Sequence, residues 1–433
     1  MSSGQAGQDG TVGAPDAPRG VLGRISVPAA KSLTQRALLA AAVAGEGSVV
    51  RGPLDADDPR LLAAALGRLG FRLDWRDDTI AAHGREPVAA AELELGNNGT
   101  GARLLLAQLA ALPGEWRLDG SPRLRERPVA ALVAALRALG AAIVPAGPAA
   151  ADALPLQVTG RPLRGGAVTL DASASSQFVS ALLLLAPRLP DGLEIVLPAP
   201  PPSRPYVGLT VEVLRAFGAT VDSSDDGRRF RAAGPLRPAT FAVEGDWSAA
   251  AFPCAAVAVA GGEVTIAGVR LDSAQGDAAI VRLLADAGCG VRAVPDGVAV
   301  SGRALRPLRA DLADTPDLFP ALAVVVAFAG GRLTGLGGLV AKESDRLAVM
   351  TDRLRRLGLP VRADGDVFSA PGGRPTGRPT VDPLDPADDH RVAMALAVAG
   401  TVVPGVRIAS ADCVAKSWPE FWPAWRALVK GAR

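Results

Sequence analysis

Hydrophobic and polar positions follow one recurring order along this chain. An amphipathic stretch of helical period leads to a glycine, and apolar residues then fall at every second position. The order occurs five times, in residues 62–84, 132–147, 211–234, 281–302 and 350–372. Apolar residues three or four apart indicate a helix with one buried face, and alternation indicates a half-buried strand. Each segment therefore predicts a helix, a strand, a polar turn and usually a second strand.

A glycine separates helix from strand in all five segments. These glycines are Gly70, Gly140, Gly218, Gly288 and Gly358, at spacings of 70, 78, 70 and 70 residues. We expect each to end its helix with a positive φ, because glycine has no Cβ to oppose that conformation. The regular spacing predicts an internal repeat.

A sixth unit is expected after Gly358, but the chain ends before it is complete. The stretch PEFWPAWRALVKG, with Gly431, supplies its helix, and residues 20–28 (GVLGRISVP) supply a strand from the other end of the chain. Three repeats per lobe then give an N-terminal lobe of residues 30–243 and a C-terminal lobe of residues 20–29 plus 244–433, with crossings near 29–30 and 243–245. A solenoid is the alternative, and it fits less well because the helical runs between the repeats differ strongly from unit to unit.

Helix-start signals precede the long apolar runs. Ser32 with Gln35 and Ser417 with Glu420 have the spacing of a capping box. Thr315 followed by Pro316 is typical of an N-cap and the first helical residue. Further starts are expected near Thr100, Ser175 or Ser176, Ser344 and Asp388.

Cations cluster at these predicted helix starts. They are Lys31, Arg36, Arg103, Lys342, Arg346, Arg391 and Lys416. The free N–H groups and the dipole of a helix start favour anions, so a cation there weakens the helix unless an anion binds. Only four of the 46 basic residues are lysine, and three of those four stand at these starts, which indicates that a compact ammonium is needed there. Ordinary helix capping can explain each of these helix starts taken alone. The seven cations taken together predict several phosphate or carboxylate groups bound in one cleft.

Composition narrows the classes of partner. The 433 residues have a net charge of +2, which gives no electrostatic reason to expect nucleic acid or an anionic membrane. Cys254, Cys289 and Cys413 lack zinc-ligand spacing, so we expect reduced, mostly buried thiols, no metal site and a cytoplasmic location. Residues 1–19 predict a disordered tail and no signal peptide. The run LFPALAVVVAFAG is too short to cross a membrane.

Eleven short stretches, taken in order, resemble the 5-enolpyruvylshikimate-3-phosphate (EPSP) synthase family. They are KSLTQRALL, LGNNGTGAR, GSPRLRERP, DASASSQF, SRPY, VEGDWSAAAF, QGD, TPDLFPALAV, KESDRL, DDHRVAM and DCVAKSWPEFW. GNNGTGAR is rich in glycine but lacks the spacing and flanking elements of a dinucleotide fingerprint. The resemblance implies an α/β fold, a two-lobed inside-out α/β barrel with three repeated β/α units per lobe, helices inside and sheets outside.

The resemblance also implies an activity. The family transfers the enolpyruvyl (1-carboxyvinyl) group of phosphoenolpyruvate to the 5-hydroxyl of shikimate 3-phosphate and releases phosphate, on the pathway to chorismate and aromatic amino acids. The reaction passes through a tetrahedral intermediate and uses no metal or organic cofactor. The implied partners are these two small molecules, with no nucleic acid or membrane, and we expect a monomer.

Matched motif by motif, the resemblance implies binding residues for each substrate. Those for shikimate 3-phosphate are Lys31, Ser32, Arg36, Ser175, Ser176, Gln177, Ser203, Tyr206, Asp317 and Lys342. Those for phosphoenolpyruvate are Lys31, Gly99, Arg127, Gln177, Arg346, Arg391 and Lys416.

The resemblance further implies the catalytic groups. Asp317 takes the proton of the attacking hydroxyl, Glu343 moves a proton to and from the methylene carbon, and Lys31 assists the departing phosphate. Asp389 and His390 support Arg391, and the histidine has no nucleophilic part. Closure of the two lobes is expected to assemble these groups and exclude water.

Some positions depart from the residues common in the family. Ala29–Ala30 stands where Gly-Ser is common, Leu104 replaces a proline, Gly208 an aspartate and Gly338 an asparagine. Gly99 leaves room for glyphosate, a mimic of phosphoenolpyruvate, so we expect sensitivity to it.

Three alternative functions remain. The sister enzyme that carries enolpyruvate to UDP-N-acetylglucosamine has the same fold but typically a reactive cysteine in the loop matching DGSPRLRERP, where this chain has none. A paralogue acting on another hydroxy acid is the second. A non-catalytic protein that binds a phosphometabolite is the third, and the presence of both Asp317 and Glu343 counts against it.

Overall fold

The structure, a computed structural model, describes residues 11–13, 20–147, 152–376 and 382–430. The chain divides into two compact lobes. The N-terminal lobe is Ala29–Glu244, and the C-terminal lobe is Met1–Pro28 together with Gly245–Arg433. The observed boundaries fall between residues 28 and 29 and between residues 244 and 245, at or next to the expected crossings near 29–30 and 243–245. Among the described residues, no helix is long and apolar enough to span a membrane.

The strands are short and distributed along the whole chain. In chain order they are β1 (Val12–Gly13), β2 (Val21–Ser26), β3 (Ser48–Arg51), β4 (Phe71–Arg76), β5 (Thr79–Arg85), β6 (Ala90–Glu94), β7 (Gly114–Asp119), β8 (Ala142–Pro145), β9 (Leu156–Gly160), β10 (Gly166–Thr169), β11 (Leu193–Val196), β12 (Thr220–Ser223), β13 (Arg229–Ala233), β14 (Thr240–Ala242), β15 (Gly262–Ala267), β16 (Gly290–Val294), β17 (Gly297–Ser301), β18 (Leu308–Asp311), β19 (Gly331–Thr334), β20 (Arg362–Asp364), β21 (Val367–Ala370) and β22 (Arg407–Ile408).

Helices alternate with these strands. The α-helices are α1 (Lys31–Ala44), α2 (Asp57–Arg68), α3 (Gly99–Ala110), α4 (Pro122–Glu126), α5 (Ala130–Ala138), α6 (Gln177–Leu185), α7 (Arg204–Ala216), α8 (Trp247–Ala260), α9 (Ala279–Ala287), α10 (Phe319–Ala329), α11 (Arg346–Arg356), α12 (His390–Gly400) and α13 (Phe421–Lys430). Short 3₁₀ helices cover Ala186–Arg188, Gly276–Ala278, Pro316–Leu318, Gly337–Ala341 and Ala411–Lys416.

One sheet topology recurs through the described residues. In the second repeat, β6 and β7 are parallel neighbours joined through α3, and β7 continues into the antiparallel strands β9 and β8. A parallel pair needs a crossover connection, and the helix supplies it. The other four-stranded sheets have the orders β14-β3-β5-β4, β10-β11-β13-β12, β16-β17-β15-β2 and β18-β19-β21-β20.

The five predicted glycines end their helices as expected. Their φ angles are 88° at Gly70, 95° at Gly140, 83° at Gly218, 114° at Gly288 and 78° at Gly358. At Gly70 a Cβ would also lie 1.9 Å from the carbonyl oxygen of Glu86, so the close backbone approach independently requires glycine. The predicted succession of helix, glycine and antiparallel strand pair is confirmed.

The strand predicted for the sixth unit is wrong. Residues 21–26 form β2, which pairs in parallel with β15 in the sheet of the fourth unit. The strand that the N-terminus lends to the sixth unit is β1, antiparallel to β22, and β22 also bridges to Leu384. A two-residue strand is too short for alternation to reveal it.

The expected disordered tail over residues 1–19 needs a matching correction. Val12 and Gly13 belong to β1, and Val12 is buried in the core of the C-terminal lobe. Residues 1–10 and 14–19 lie outside the described residues, as does Gly431, the predicted end of the last helix.

Within each lobe the crossover helices form the core and the sheets lie around them. The crossover helices are α1, α3 and α6 in the N-terminal lobe and α8, α10 and α12 in the C-terminal lobe. Every residue of α3 except Thr100 is buried, whereas strands such as β13 alternate between buried and exposed side chains. The same crossovers place the first turns of these helices at the carboxyl ends of strands, where the predicted functional residues lie.

Candidate active site

Most of the predicted helix starts lie within two residues of the observed ones. The observed starts are Gly99 for α3, Gln177 for α6, Pro316 for the 3₁₀ turn before α10, Arg346 for α11 and His390 for α12. The side chains of Asn98, Asp345 and Asp389 cap three of these helices by accepting backbone N–H groups. The starts of α3, α11 and α12 therefore combine satisfied caps with cationic side chains.

The two predicted capping boxes are wrong. Helix α1 begins one residue before Ser32, with Ala30 as N-cap, because the backbone N–H of Ala30 is held by the carbonyl of Glu244 at 2.8 Å. Ser417 follows a 3₁₀ helix, and α13 begins only at Phe421. Lys416 accordingly ends a 3₁₀ helix instead of starting an α-helix.

Arg36 lies on α1 with its guanidinium sealed inside the N-terminal lobe. Only 1% of the residue is exposed. Its Nε donates to Thr210 Oγ1 at 2.7 Å, Nη2 to Ser180 Oγ at 3.2 Å and Nη1 to the Ser32 carbonyl at 2.9 Å. Burial lowers the pKa of Arg36 to about 10. A buried cation held only by neutral groups is costly, and a bound anion would relieve that cost.

Hydroxyl groups gather at the starts of α6 and α7 in the same lobe. Ser175 Oγ accepts the backbone N–H of Gln177 at 3.2 Å, and Ser176 is the N-cap residue of α6. Ser203 is the N-cap of α7 in the left-handed conformation, with φ 55° and ψ 41°. Tyr206 is half-buried in the first turn of α7. The left-handed conformation of Ser203 costs a non-glycine residue free energy and is typical of functional sites.

The start of α3 carries a small pocket in which two arginines, Arg103 and Arg127, stand among mostly apolar residues. Arg103 Nη1 donates to Gln177 Oε1 at 2.7 Å, and Gln177 Nε2 donates to Thr100 Oγ1 at 3.0 Å. The Arg127 guanidinium lies directly against Gly99, where a Cβ would be 2.5 Å from its Cζ. The lining is Gly99, Ala102, Arg103, Leu118, Leu124, Arg127, Pro128, Val129 and Leu154.

Lys31, the first residue of α1, is paired with an acid that sequence reasoning missed. Its Nζ lies 2.9 Å from Asp58 Oδ2, and both side chains are largely buried. Asp58 is in the first turn of α2, where the dipole favours a carboxylate. The adjacent pair Asp57–Asp58 was the only sequence signal.

In the C-terminal lobe, Asp317 accepts three cations. Arg346 Nη1 is 2.7 Å from Oδ1, Lys342 Nζ is 3.3 Å from Oδ1, and Arg391 Nη2 is 3.1 Å from Oδ2. Burial alone would raise the pKa of the Asp317 carboxyl, but Arg391, Lys342 and Arg346 together hold it well below its usual range. Burial lowers the pKa of Lys342, and Asp317 opposes that shift.

Arg346 connects Asp317 to two further carboxylates. Its Nε lies 2.7 Å from Asp389 Oδ2, and its Nη2 lies 2.6 Å from Glu343 Oε2. Arg346 is completely buried, and these acids keep its pKa well above its usual value although burial opposes them. Asp389 also accepts Ser344 Oγ at 3.0 Å and the backbone N–H of Arg391 at 3.0 Å. Arg346 therefore orders the acids of this lobe.

Arg391 is oriented by a serine and a histidine. Ser248 Oγ accepts Nε at 3.0 Å and Nη2 at 2.7 Å, and His390 Nε2 lies 2.9 Å from Nη1. Arginine can only donate, so His390 Nε2 accepts and the ring proton lies on Nδ1. His390 thus contacts Arg391 directly, and its supporting role in catalysis stays a prediction. Ser248 was missed, although it lies within VEGDWSAAAF, one of the eleven motifs.

Lys416 contacts a different part of the same lobe. It is half-buried, and its charge lowers the pKa of Asp388, which burial raises more strongly. Residues 387 and 388 both have positive φ, 57° and 53°. The structure thus places Lys416 near the start of α12.

The three cysteines and the acids of the described residues form no shared cluster. Among the described residues, no group of three or more His, Cys, Asp or Glu side chains could hold a metal ion. Cys254 and Cys289 are buried and Cys413 is half-buried, all as free thiols. Burial raises the pKa of Cys289 to about 11.

Repeated β/α units in two lobes, with buried cations at helix starts, define a two-domain α/β protein built to bind small anions. A model of the EPSP synthase (3-phosphoshikimate 1-carboxyvinyltransferase) family matches residues 15–425. A 3-phosphoshikimate 1-carboxyvinyltransferase of Syntrophobacter fumaroxidans is 41% identical over 94% of this chain and 97% of its own length. One from Methanoculleus marisnigri is 40% identical over 92% and 94%. A solved EPSP synthase from Acinetobacter baumannii has a TM-score of 0.77 at 26% identity and covers 96% of this chain and 98% of its own.

The chain therefore belongs to the EPSP synthase family, and with it to the enzymes named 3-phosphoshikimate 1-carboxyvinyltransferase. The predicted family and α/β fold class are confirmed. The sister family acting on a nucleotide sugar is set aside by the same findings.

Proposed function

We propose that this chain transfers the enolpyruvyl group of phosphoenolpyruvate to the 5-hydroxyl of shikimate 3-phosphate, releasing phosphate, in the pathway to chorismate and aromatic amino acids. Family membership supports the reaction. The single observation that carries the chemistry is Asp317, a buried carboxylate kept ionised among three cations. A base needs its ionised form, and the surrounding cations suit two phosphorylated substrates.

Two acids of the C-terminal lobe, Asp317 and Glu343, carry out different proton transfers. Glu343 protonates the methylene carbon of phosphoenolpyruvate, and the hydroxyl oxygen adds to the neighbouring carbon while Asp317 accepts the hydroxyl proton. Glu343 then removes a proton from the new methyl group as the carbon–oxygen bond to phosphate breaks. The contacts of Arg346 with both acids hold them on one scaffold. The low pKa of Asp317 means that it accepts the proton only as the new bond makes the hydroxyl acidic.

Shikimate 3-phosphate is assigned chiefly to the N-terminal lobe. Arg36 supplies a buried cation with neutral partners, ready for an anionic group of the substrate. The hydroxyls and the amide at the starts of α1, α6 and α7 supply donors, and Lys31, Asp317 and Lys342 are assigned to the same substrate. These residues are Ser32, Ser175, Ser176, Gln177, Ser203 and Tyr206.

Phosphoenolpyruvate is assigned to cations of each lobe. In the N-terminal lobe Gly99 leaves the space in which Arg127 lies. Lys31 and Gln177 stand at the first positions of α1 and α6. Arg346, Arg391 and Lys416 complete the set. Two small-molecule substrates and no others are proposed as partners.

Replacing Gly99 by alanine tests the proposed phosphoenolpyruvate site. The added Cβ would lie 2.5 Å from Arg127 Cζ, so the guanidinium must move. Displacing a substrate-positioning cation by about 1 Å costs roughly 10²-fold in rate, and we expect the KM for phosphoenolpyruvate to rise at least about tenfold. Steady-state kinetics with each substrate varied in turn checks this.

Gly67→Ala is the matched control for Gly99→Ala. Gly67 lies inside α2 with open space around its Cα, so alanine there fits and favours the helix. Unchanged kinetics in Gly99→Ala, equal to Gly67→Ala, would remove Arg127 from the assigned site.

Replacing Thr210 by valine tests the placement of Arg36. Valine has a similar shape but cannot accept the Nε–H that Thr210 accepts at 2.7 Å. A lost hydrogen bond to a charged group costs about 1.5–3 kcal/mol, or roughly 10-fold to 100-fold in binding. We expect the KM for shikimate 3-phosphate to rise in that range, with little change for phosphoenolpyruvate.

Thr351→Val controls for loss of a buried helical hydroxyl. Both hydroxyls lie within hydrogen-bond distance of the carbonyl four residues earlier, Thr210 to Tyr206 and Thr351 to Leu347. Thr351 has no assigned contact to a substrate group. If both variants lost the same affinity, the effect would be general destabilisation and Arg36 would not need Thr210.

Phosphate release with both substrates is the assay that tests the function as a whole. Turnover that requires shikimate 3-phosphate and phosphoenolpyruvate together is the expected result. Binding of shikimate 3-phosphate without turnover would identify the chain as a non-catalytic binding protein. Turnover of phosphoenolpyruvate only with a different hydroxy acid would identify the paralogue.

A further inference from the structure

A second group of hydrogen-bond donors, two of them cationic, lies away from the residues assigned to the substrates. It consists of Arg85 at the end of β5, Gln108 in the last turn of α3 and Arg188 at the end of the 3₁₀ helix after α6. Each residue comes from a different repeat of the N-terminal lobe. Arg188 Nη1 donates to Gln108 Oε1 at 3.1 Å. Gln108 lies nine residues along α3 from Gly99, about 14 Å away at the rise of an α-helix.

The donors of this cluster outnumber its acceptors. Arg85 donates Nε to the Leu69 carbonyl at 2.8 Å, but its Nη2 is buried without a hydrogen-bond partner. Gln108 is 2% exposed, and its Nε2 is likewise buried without a partner. Arg188 uses Nη1 alone, toward the side chain and the carbonyl of Gln108. Buried donors are nearly always satisfied in folded proteins, so the unmatched buried donors of Arg85 and Gln108 indicate a missing acceptor.

No carboxylate among the described residues supplies that acceptor. The nearest acid in sequence, Glu86, pairs with Arg72 at 3.6 Å. Burial lowers the pKa of Arg188 to about 10, and the positive charge of Arg85 adds to this shift. Two like charges held together without a counter-ion raise the free energy of the fold.

Capping of helix ends explains only part of the arrangement. Arg188 reaches the Gln108 carbonyl in the last turn of α3, and Arg85 reaches the Leu69 carbonyl at the end of α2. Cations are favourable at such ends. Each arginine uses one nitrogen there, and Arg85 Nη2 and Gln108 Nε2 stay buried without a partner.

We propose that Arg85, Gln108 and Arg188 form a second binding site, which takes a small oxyanion of the phosphate or carboxylate type. Guanidinium groups present paired donors that match the oxygens of such anions, and the Gln108 amide adds a third donor. The bound anion joins β5, α3 and the 3₁₀ helix after α6, and so ties the three repeats of the N-terminal lobe together. It stabilises the fold and is independent of catalysis.

Gln108→Glu is the decisive variant, because it builds an anion into the cluster. One carboxylate oxygen replaces the acceptor that Arg188 already uses, and the other replaces the unmatched Nε2 donor, so the variant brings a negative charge beside the arginines. We expect a higher Tm than wild type in phosphate-free buffer and at least a tenfold weaker response to added inorganic phosphate. If the cluster needed no anion, a carboxylate at this buried position would lower the Tm instead.

Phosphate titration of Tm in Arg188→Gln and Arg164→Gln gives the companion comparison. Arg164 is an exposed arginine paired with Asp191, so it controls for loss of one positive charge. Phosphate bound by the substrate residues contributes equally in both variants, and only Arg188→Gln should lose part of the rise in Tm. Equal rises would overturn the proposal.

Crystals of the full-length protein soaked in tungstate locate the anion directly. We expect anomalous density within hydrogen-bond distance of the Arg188 guanidinium. Density confined to the substrate residues would overturn the proposal. Parallel titrations with acetate and with phosphate then separate a carboxylate ligand from a phosphoryl ligand.

Discussion

Asp317→Asn should lower kcat by about 10³-fold, within the range of 10² to 10⁴ that a general base contributes, while binding of the substrates is kept or tightened. The amide cannot accept the hydroxyl proton. It also removes one negative charge from the group formed with Lys342, Arg346 and Arg391, which leaves these cations with more net charge for an anionic substrate. Measurement of kcat and of both KM values separates the two effects, since they have opposite directions.

Asp345→Asn is the matched control for this change. Asp345 caps α11 through the Ala348 N–H and precedes Arg346 directly, and asparagine caps a helix about as well as aspartate. We expect near-normal kinetics. A nearly normal kcat in Asp317→Asn would move the base elsewhere, and lost binding at unchanged kcat would make Asp317 a structural residue.

The lowered pKa of Asp317 gives an independent check in stability. A carboxyl whose folded pKa lies below its unfolded pKa stabilises the fold above the unfolded value, and this contribution disappears as the pH falls through the folded value. The loss for Asp317 thus occurs below the usual range of a carboxyl group. Asp317→Asn should flatten the acid limb of the free energy of unfolding plotted against pH.

Local pattern predicted the repeat because each unit carries its own signal. The amphipathic helix, the glycine with positive φ at positions such as Gly218, and the alternating strand are all encoded within some twenty neighbouring residues. The pairing of β1 with β22 is different. It joins residues 12–13 to residues 407–408, and two residues cannot show a period.

The contrast between local and long-range signals also separates the site residues that the sequence predicted from those that it did not. Charged residues at helix starts stood out because their position is local. Thr210 lies 174 residues from Arg36, and Ser248 lies 143 residues from Arg391. A hydroxyl that orients an arginine over such a separation resembles any other helical hydroxyl until the chain is folded. Ala30 shows the reverse case, because its backbone bond to Glu244 moved the start of α1 ahead of a plausible capping box.

Lys31→Arg keeps the positive charge but should lower kcat/KM by roughly 10²-fold, the cost of misplacing a reacting group by about 1 Å. Lys31 is only 9% exposed, so a longer and planar guanidinium must find room in a packed site. Asp58 lies 2.9 Å from the ammonium and offers a carboxylate that arginine would grip with two hydrogen bonds. These two hydrogen bonds would hold the positive charge of the arginine near Asp58 and away from phosphoenolpyruvate.

Arg24→Lys and Lys31→Met are the comparison variants for Lys31→Arg. Arg24 forms an exposed pair with Asp296, where an exchange of the two cations changes little. Lys31→Met removes the charge and should lose at least as much activity as Lys31→Arg. If Lys31→Arg instead resembled Arg24→Lys, charge alone would suffice at position 31. The rarity of lysine in this chain would then say nothing about its role, whereas a large loss shows that a compact ammonium is kept where arginine cannot replace it.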